Sequence, residues 1–347
     1  MRDRIGVTGA WSMAVRRARR IDAGSPRRAL RGRVAGAWLA VLAAGCGGDP
    51  DPIGAAPTVA ARTARIGVVF GERFEGHEEA LFAAARARGR ELDVRSGHGH
   101  DRATELNFQD LIEQRVGAIV LFPAAPELLQ RARSLAAERS LPLLSAMRSD
   151  GRSGPWAGVA SGEQAAAVGE RAADRLAADG IARPTVVAFE DPRWPESRRR
   201  VEATLDAIER RCGKVEVRLR VFEEGGVEPS LARAMPRLAR VGRVDLFVAG
   251  DPASTPVALE AARRTGLDVS ATLIGVSDDP ALLAAAAQSA RTFLVGYDRA
   301  ACAAAILDGV DSLLAAPPAS AGAAAMQWLV TATIHGPAPV AAPAGGR

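Results

Sequence analysis

Arginine and tryptophan residues follow short apolar runs at two points of the chain. Arg148 comes directly after LPLLSAM, and Trp194 and Arg200 come after TVVAFE. A guanidinium group donates paired hydrogen bonds to carboxylates, phosphates or hydroxyl-rich molecules, and an aromatic ring offers a flat face for stacking. These residue types therefore indicate a site that could bind a small polar molecule.

Three further candidates stand after other apolar runs. Phe74 follows RIGVVF, Asp251 follows VDLFVAG, and Tyr297, the one tyrosine of the chain, follows TFLVG. Phe74 and Tyr297 could stack against a ligand. Asp251 could accept hydrogen bonds from a ligand, or it could cap the helix that follows, as aspartate does at helix N-termini. The sequence leaves both roles open.

The arginines and tryptophans also have structural interpretations. Arg200, and Arg198 close to it, could simply solvate one face of a helix. Trp194 could cap a loop. Trp156 lies in a segment rich in Gly, Ser and Pro, where we expect it to pack in a core or hinge rather than to contact a ligand.

Histidines and cysteines show no catalytic or metal-binding spacing. The four histidines form no HxxxH pair, and the three cysteines form no CxxC pair. No Ser-His-acid or Cys-His group stands on the loops that follow the apolar runs. Cys212 and Cys302 fit small buried positions better than a disulfide framework. We therefore expect no enzyme activity, no bound metal and no cofactor.

Short apolar runs alternate with Ala-rich helical segments from Ala64 onward. Runs such as RIGVVF, GAIVLF and TVVAFE are unbroken, as strands buried on both faces of a parallel sheet require. The alternation predicts an α/β fold with a doubly wound parallel sheet. In such sheets ligands bind beyond the carboxyl ends of the strands, which is where the candidate residues lie.

The alternation pauses at residues 147–161 and then resumes. The two series together are larger than one core usually holds, so the sequence predicts two lobes. We expect residues 64–160 and about 297–334 to form the first lobe and residues 161–296 to form the second. Residues 335–347 are rich in Pro, Gly and Ala, which is typical of a disordered tail.

Residues 1–46 have the layout of a secretory signal. Ten arginines and two aspartates precede an apolar run at residues 34–45, which is too short to span a bilayer. Its end, LAAGC, resembles the lipobox of bacterial lipoproteins, which implies cleavage before Cys46 and acylation of the Cys46 thiol. Residues 47–63 then form a flexible tether. A buried amphipathic helix that ends at Gly-Cys is the alternative interpretation.

The positive charge of the chain belongs to this leader. The whole chain carries a formal charge of +5, and the ten arginines and two aspartates of residues 1–46 contribute +8, so the remainder carries 5 − 8 = −3. A high isoelectric point therefore does not indicate a nucleic-acid partner here. We expect none.

The order of the segments resembles that of periplasmic sugar-binding proteins of the ribose-binding type. The segment RIGVVF to LPLLSAMR resembles their first lobe, and SRRRVEATLDAI to TFLVGYD their second, so that the resemblance covers roughly residues 64–334. It implies two doubly wound α/β lobes joined by a hinge of three crossing strands. We place these crossings near residues 158–161, at 273–277 or 293–297, and at 327–334.

The resemblance also implies a set of ligand contacts in the first lobe and at its border. Where the family often has Asp-Arg after its fourth strand, this chain has Met147-Arg148, so the arginine stays and the carboxylate is lost. The arginine that opens the first helix of the second lobe matches Arg200 best, with Arg198 as the alternative. Of an aromatic pair after the first strand only Phe74 remains.

In the second lobe the chain departs further from the family. The family's Asn-Asp becomes Gly250-Asp251, and an aspartate becomes Ser277, which is followed by Asp278. A glutamine of the return strand becomes Tyr297. The expected ligand is therefore polar and sugar-like, but two of the acceptors that hold sugar hydroxyls in the family are missing.

Together these features predict a receptor of the periplasm or cell envelope, anchored to the membrane by lipid at Cys46. It would capture a small sugar-like ligand by lobe closure and present it, as a monomer, to an ABC transporter permease or a sensor. One alternative is an effector-binding sensory domain of repressor-like ancestry, but residues 1–46 read as a signal rather than as a helix-turn-helix. An enzyme is a weaker alternative.

Overall fold

The computed structural model describes residues 65–72, 74, 76–149, 154–159, 162–223, 225–315 and 326–337. The predicted signal at residues 1–46 with Cys46, the tether at 47–63 and residues 338–347 of the predicted tail lie outside the described residues. Among the helices of the described part, none is long and apolar enough to cross a membrane.

Strands and helices alternate along most of the described chain. The strands are β1 (Arg65–Phe70), β2 (Glu91–Ser96), β3 (Ala118–Phe122), β4 (Leu143–Ala146), β5 (Trp156–Val159), β6 (Thr185–Glu190), β7 (Glu216–Phe222), β8 (Leu246–Ala249), β9 (Thr272–Ser277), β10 (Thr292–Gly296), β11 (Gln327–Val330) and β12 (Thr333–His335). The helices are α1 (His77–Ala87), α2 (Asp101–Glu113), α3 (Pro126–Glu138), α4 (Glu163–Ala178), α5 (Pro195–Cys212), α6 (Val227–Leu238), α7 (Ser254–Arg264), α8 (Pro280–Gln288) and α9 (Arg299–Ala315).

These strands form two six-stranded sheets, one for each lobe. The first has the order β11-β5-β4-β3-β1-β2, and the second has the order β12-β10-β9-β8-β6-β7. β10 and β12 run antiparallel, whereas the other pairs within the two sheets run parallel. The predicted fold class, two doubly wound α/β lobes, is confirmed.

The burial of the strands follows from their sequences. Every residue of β3 is buried, because helices cover both faces of a central parallel strand. Val120 and Phe122 pack with Ile306 of α9 on one face, and Leu121 packs with Phe108 of α2 on the other. β7, at the edge of the second sheet, leaves most of its residues exposed or half-buried.

The chain passes between the lobes three times. It leaves the first sheet after β5, returns after β10, and crosses again between β11 and β12. Residues 160 and 161, within the predicted crossing at 158–161, lie outside the described residues. Residues 273–277, offered as one crossing, lie inside the second sheet as part of β9, and the return follows the alternative, residues 293–297.

The last strand differs from the sequence-based assignment. The sequence places residues 333 and 334 in the first lobe and begins a tail at 335, whereas β12 pairs with β10 of the second sheet. The physical reason is apolar burial, since Ala332 and Ile334 pack into the core of the second lobe.

Candidate ligand site between the lobes

The side chain of Arg148 lies where the two lobes meet. It extends from the loop after β4 in the first lobe, and its Nη2 lies 2.5 Å from Oε1 of Glu72, which follows β1. Its Nη1 lies 3.5 Å from Oδ2 of Asp191, which follows β6 in the second lobe. The guanidinium carbon lies 5.0 Å from the ring centroid of Trp194. Arg148 therefore joins two carboxylates and an indole across the cleft.

Asp191 is the most buried member of this group, with no exposed surface. Besides its ion pair with Arg148, it accepts hydrogen bonds from Nε and Nη2 of Arg193 at 2.9 and 2.6 Å. The hydrogen bond to Asp191 raises the pKa of the Arg193 guanidinium. Two arginines thus compensate one buried carboxylate, as a buried charge requires.

Three glutamates near the cleft have raised pKa values, each chiefly because burial penalises the charged form. Burial raises the pKa of Glu72 although Arg148 opposes the effect. It also raises the pKa of Glu196, at the start of α5, and that of Glu223, after β7. Among the described residues, Oε2 of Glu196 and Nε1 of Trp194 are buried without a hydrogen-bond partner.

Arg200, on α5, is turned toward the backbone of both lobes. Its Nη1 donates to the carbonyl oxygen of Gly250 and its Nη2 to that of Val159 in β5, each at 3.2 Å. The residue is 9 % exposed, and burial lowers its pKa. Its assignment as a ligand contact stays a prediction. Arg198, the alternative, is largely exposed and pairs with Glu202.

Asp251 uses both carboxylate oxygens within its own lobe. Oδ1 accepts hydrogen bonds from the backbone N–H groups of Ala253 and Ser254. Oδ2 accepts from the hydroxyls of Ser197 at 2.5 Å and Ser254 at 2.7 Å. These contacts fit the interpretation in which Asp251 caps α7. The assignment of Asp251 as a ligand contact stays a prediction.

Gly250 explains one departure from the family pattern. A Cβ atom at this position would lie 2.2 Å from the carbonyl oxygen of Ser197, a distance that carbon and oxygen cannot share without a backbone shift. An asparagine here, which the resemblance implies, would therefore require the backbone of Ser197 or of the loop to shift. The close approach also places the Gly250 carbonyl against Arg200.

Phe74 and Tyr297 both lie close to His77, the first residue of α1. The ring centroid of Phe74 is 5.7 Å from that of His77, and the ring centroid of Tyr297 is 6.3 Å from it. Phe74 is half-buried and packs on Phe122. Tyr297 is 7 % exposed, and burial raises the pKa of its hydroxyl well above the usual value.

The structure thus brings Arg148 together with Trp194 and Arg200 together with the loop that holds Asp251, and it places Phe74 and Tyr297 each beside His77. Sequence reasoning named Asp278 only as the neighbour of Ser277, and it missed the other charged partners, which are Glu72, Asp191, Arg193, Glu196 and Glu223. Asp278 accepts a hydrogen bond from Nε of Arg299 at 2.6 Å and lies 3.6 Å from Nδ1 of His77, so it also links the lobes. The sequence could have indicated these residues only by their position, since each lies in, or directly after, a loop that follows a strand.

Comparisons with known proteins identify the architecture. No protein-family model matches the chain, and no curated protein sequence matches it. Solved structures do match. One is an ABC transporter solute-binding protein from Agrobacterium vitis bound with alpha-D-tagatopyranose, at 13% identity and a TM-score of 0.64, covering 78% of this chain and 94% of that chain.

Two further structures extend the likeness. The Caulobacter myo-inositol binding protein, bound to myo-inositol, shares 18% identity at a TM-score of 0.64 and covers 79% of this chain and 93% of that one. The periplasmic component of an ABC-type sugar transport system from Hahella chejuensis shares 17% identity at a TM-score of 0.62 and covers 78% and 98%. The chain therefore has the two-lobed fold of the periplasmic solute-binding proteins of ABC transporters, the group that its segment order resembles.

Proposed function

We propose that this protein is a solute-binding receptor that holds a small polar, sugar-like ligand between its lobes and presents it to an ABC transporter permease or a sensor. The observation that carries the proposal is the group of Arg148, Glu72, Asp191 and Trp194 at the junction of the lobes. Carboxylates accept hydrogen bonds from hydroxyl groups, a guanidinium donates to ring and hydroxyl oxygens, and an indole packs on the apolar face of a sugar ring.

The proposed contacts combine the sequence candidates with their charged neighbours. Arg148, Trp194 and Phe74 contact the ligand, and Glu72 and Asp191 supply acceptors in place of the two lost from the family pattern. Arg200 and Asp251 shape the second wall through the backbone they hold. Tyr297 closes the site beside His77. In this scheme the receptor acts as a monomer and without a cofactor.

Calorimetric titration tests the proposal. The chain from residue 47 onward is titrated with pentoses, hexoses, inositols, sugar acids and nucleosides, and we expect at least one to bind. Trp194→Ala should weaken that binding, since the stacking surface is lost. Arg198→Gln, an exposed change in α5, the helix that Trp194 precedes, should leave it unaltered. No binding across the whole panel, or equal effects of the two substitutions, would count against the site.

We further propose that residues 1–45 are removed on export and that Cys46, then the first residue, carries the lipid that anchors the receptor to the membrane. Labelled palmitate should enter the wild-type chain in a host that processes lipoproteins, and Cys46→Ser should abolish the label, because the acyl chains require the cysteine thiol. Cys212→Ser, a change at a different cysteine, serves as the control and should keep the label. Wild-type chain without label would refute the anchor.

A further inference from the structure

Four buried carboxyl side chains lie at the carboxyl end of the second sheet. Asp251, Asp191 and Glu223 follow the neighbouring parallel strands β8, β6 and β7. Glu196 lies in the first turn of α5, the helix that follows β6. None of the four residues is more than 9 % exposed. Because parallel strands end at one edge of their sheet, these carboxyls line one wall of the cleft.

Asp191 and Asp251 are compensated, each in a different way. Asp191 forms ion pairs with Arg148 and Arg193. Asp251 accepts hydrogen bonds from four neutral donors, which are two hydroxyls and two backbone N–H groups. A buried carboxylate requires partners of these kinds. These two carboxylates therefore have the partners that their burial requires.

Glu223 is less well compensated. In the part of the chain that the structure describes it forms no ion pair, and its Oε1 accepts a hydrogen bond from the backbone N–H of Gly226 at 2.8 Å. Burial raises its pKa, and the charges of Asp251 and Asp191 raise it further, whereas Arg193 opposes them. A positive charge beside the Glu223 carboxylate would therefore be favourable.

Glu196 provides an acceptor that the protein does not use. Its carboxyl group accepts a hydrogen bond from the hydroxyl of Ser149, which follows β4 in the first lobe, so the group lies where the lobes meet. Its Oε2 is buried and has no hydrogen-bond partner among the described residues. Arg200 and Arg199 oppose the effect of burial on its pKa. Because these two positive charges are already near, Oε2 of Glu196 suits a hydroxyl donor better than a cation.

The indole N–H of Trp194 is a donor at the same junction. Trp194 is 1 % exposed, and within the described ranges its Nε1 has no acceptor. The guanidinium carbon of Arg148, from the first lobe, lies 5.0 Å from its ring centroid. A buried indole N–H usually has a hydrogen-bond partner, and a sugar oxygen is an acceptor of the right kind. The wall therefore offers a carboxylate for a cation, an acceptor for a hydroxyl and a donor for an oxygen.

We propose that the ligand is an amino sugar, a polyhydroxylated ring with one ammonium group. Glu223 binds the ammonium group, and Oε2 of Glu196 and Nε1 of Trp194 bind hydroxyl or ring oxygens. This inference rests on the proposed function, because it names the class of sugar-like molecule that the receptor holds.

Calorimetric titration of the full chain, with Cys46→Ser so that no lipid is attached, compares three sets of related sugars. The sets are based on glucose, galactose and mannose, and each contains the hexose, its 2-amino and 6-amino derivatives and the N-acetylated form of each derivative. The acetyl group keeps the nitrogen and removes its charge. In at least one set an amino sugar should bind about 10- to 150-fold tighter than its hexose and its acetylated form, as one charge-assisted hydrogen bond predicts.

Glu223→Gln should reduce this preference for the amino sugar by a similar factor, because the amide keeps the shape of the side chain without its charge. Glu202→Gln, the same substitution at an exposed residue of α5 that pairs with Arg198, is the matched control and should keep the preference. Urea denaturation of each variant shows whether it is folded before it is titrated.

An amino sugar that binds no tighter than its hexose in every set would overturn the inference, whether or not Glu223→Gln folds. If the hexoses bind in that case, the proposed function stands without it. If no compound of any set binds, both fail. A preference that Glu223→Gln and Glu202→Gln leave equally unchanged would also overturn the assignment of Glu223.

Discussion

At the scale of single residues, the cleft concentrates carboxyl groups that are costly to ionise. Burial raises the pKa of Glu72, Glu196 and Glu223. Glu196 is the clearest case, since it is 5 % exposed and its Oε2 has no hydrogen-bond partner among the described residues. Such groups lower the stability of the folded protein at neutral pH and are retained where a site needs acceptors.

Glu196→Gln should therefore stabilise the protein more at pH 7.5 than at pH 5. A carboxyl whose pKa is raised on folding favours the folded state below its unfolded pKa, and this contribution is lost as the pH rises through the folded pKa; each pKa unit corresponds to about 1.4 kcal/mol. Glutamine is neutral at both pH values, so only the wild-type protein loses folding stability when residue 196 ionises. Urea denaturation at the two pH values measures the difference.

The exposed pair Arg198–Glu202 provides the control for this comparison. Glu202→Gln on the same helix should give the same small change in unfolding free energy at both pH values, since a surface ion pair contributes about 0–1 kcal/mol. A Glu196→Gln variant that is destabilised more at pH 7.5 than at pH 5 would contradict the assigned cost.

The sequence predicts some of these residues and not others for a physical reason. Arg148 and Trp194 stand out because a guanidinium and an indole are unusual in loops after apolar strands. Glu72 and Asp191 carry no local signal beyond their loops, because their importance comes from meeting Arg148 from different strands and, for Asp191, from a different lobe. Contacts of that kind depend on how the lobes pack.

At the scale of elements, the loop after β8 is fixed by close backbone packing against α5. The carbonyl oxygen of Gly250 accepts a hydrogen bond from Arg200. The carboxylate of Asp251 accepts one from the hydroxyl of Ser197 and caps α7 by accepting another from the backbone N–H of Ser254. This arrangement positions the start of both helices at the cleft. The absence of a side chain at Gly250 is what permits it.

Gly250→Ala should destabilise the protein by about 1–3 kcal/mol, the usual cost of forcing extra atoms into a packed site. The added Cβ would lie 2.2 Å from the Ser197 carbonyl oxygen, so α5 or the loop must move. Gly162→Ala is the matched control, because a Cβ there meets nothing within 4 Å and its φ of −92° suits alanine. Thermal and urea denaturation compare the two variants. Equal stability of Gly250→Ala and Gly162→Ala would show that the loop shifts without a cost in free energy.

The elements themselves were predictable where burial imposes a pattern. Central strands such as β3 appear as unbroken apolar runs because both of their faces are covered. The end of the chain was harder to assign. The run MQWLVTATI reads as one strand, yet it divides into β11 and β12, which pair in different sheets. Local sequence gives no sign of which sheet a three-residue strand will join.

At the scale of the whole molecule, the three crossings hold two lobes that each have their own cores. β11 completes an edge of the first sheet, β12 completes an edge of the second, and the chain between them is the third crossing. Val330 and Ala332 pack into the core of the second lobe, although Val330 belongs to a strand of the first sheet. The C-terminal segment therefore fastens both lobes at once.

A chain that ends at residue 325 should be less stable and more open than one that ends at 337. The shorter chain loses β11, β12 and the third crossing, whereas the longer one keeps all three. Loss of the buried side chains of Val330 and Ala332 and of the half-buried Trp328 should lower the unfolding free energy by about 2–4 kcal/mol, since a fully buried large apolar side chain contributes about 1.5–3 kcal/mol. Urea denaturation measures the loss of unfolding free energy, and solution scattering measures the radius of gyration.

Because two crossings remain, the shorter chain should still unfold cooperatively. A chain ending at 325 that matches the longer one in both measurements would show that the third crossing does not restrain the lobes.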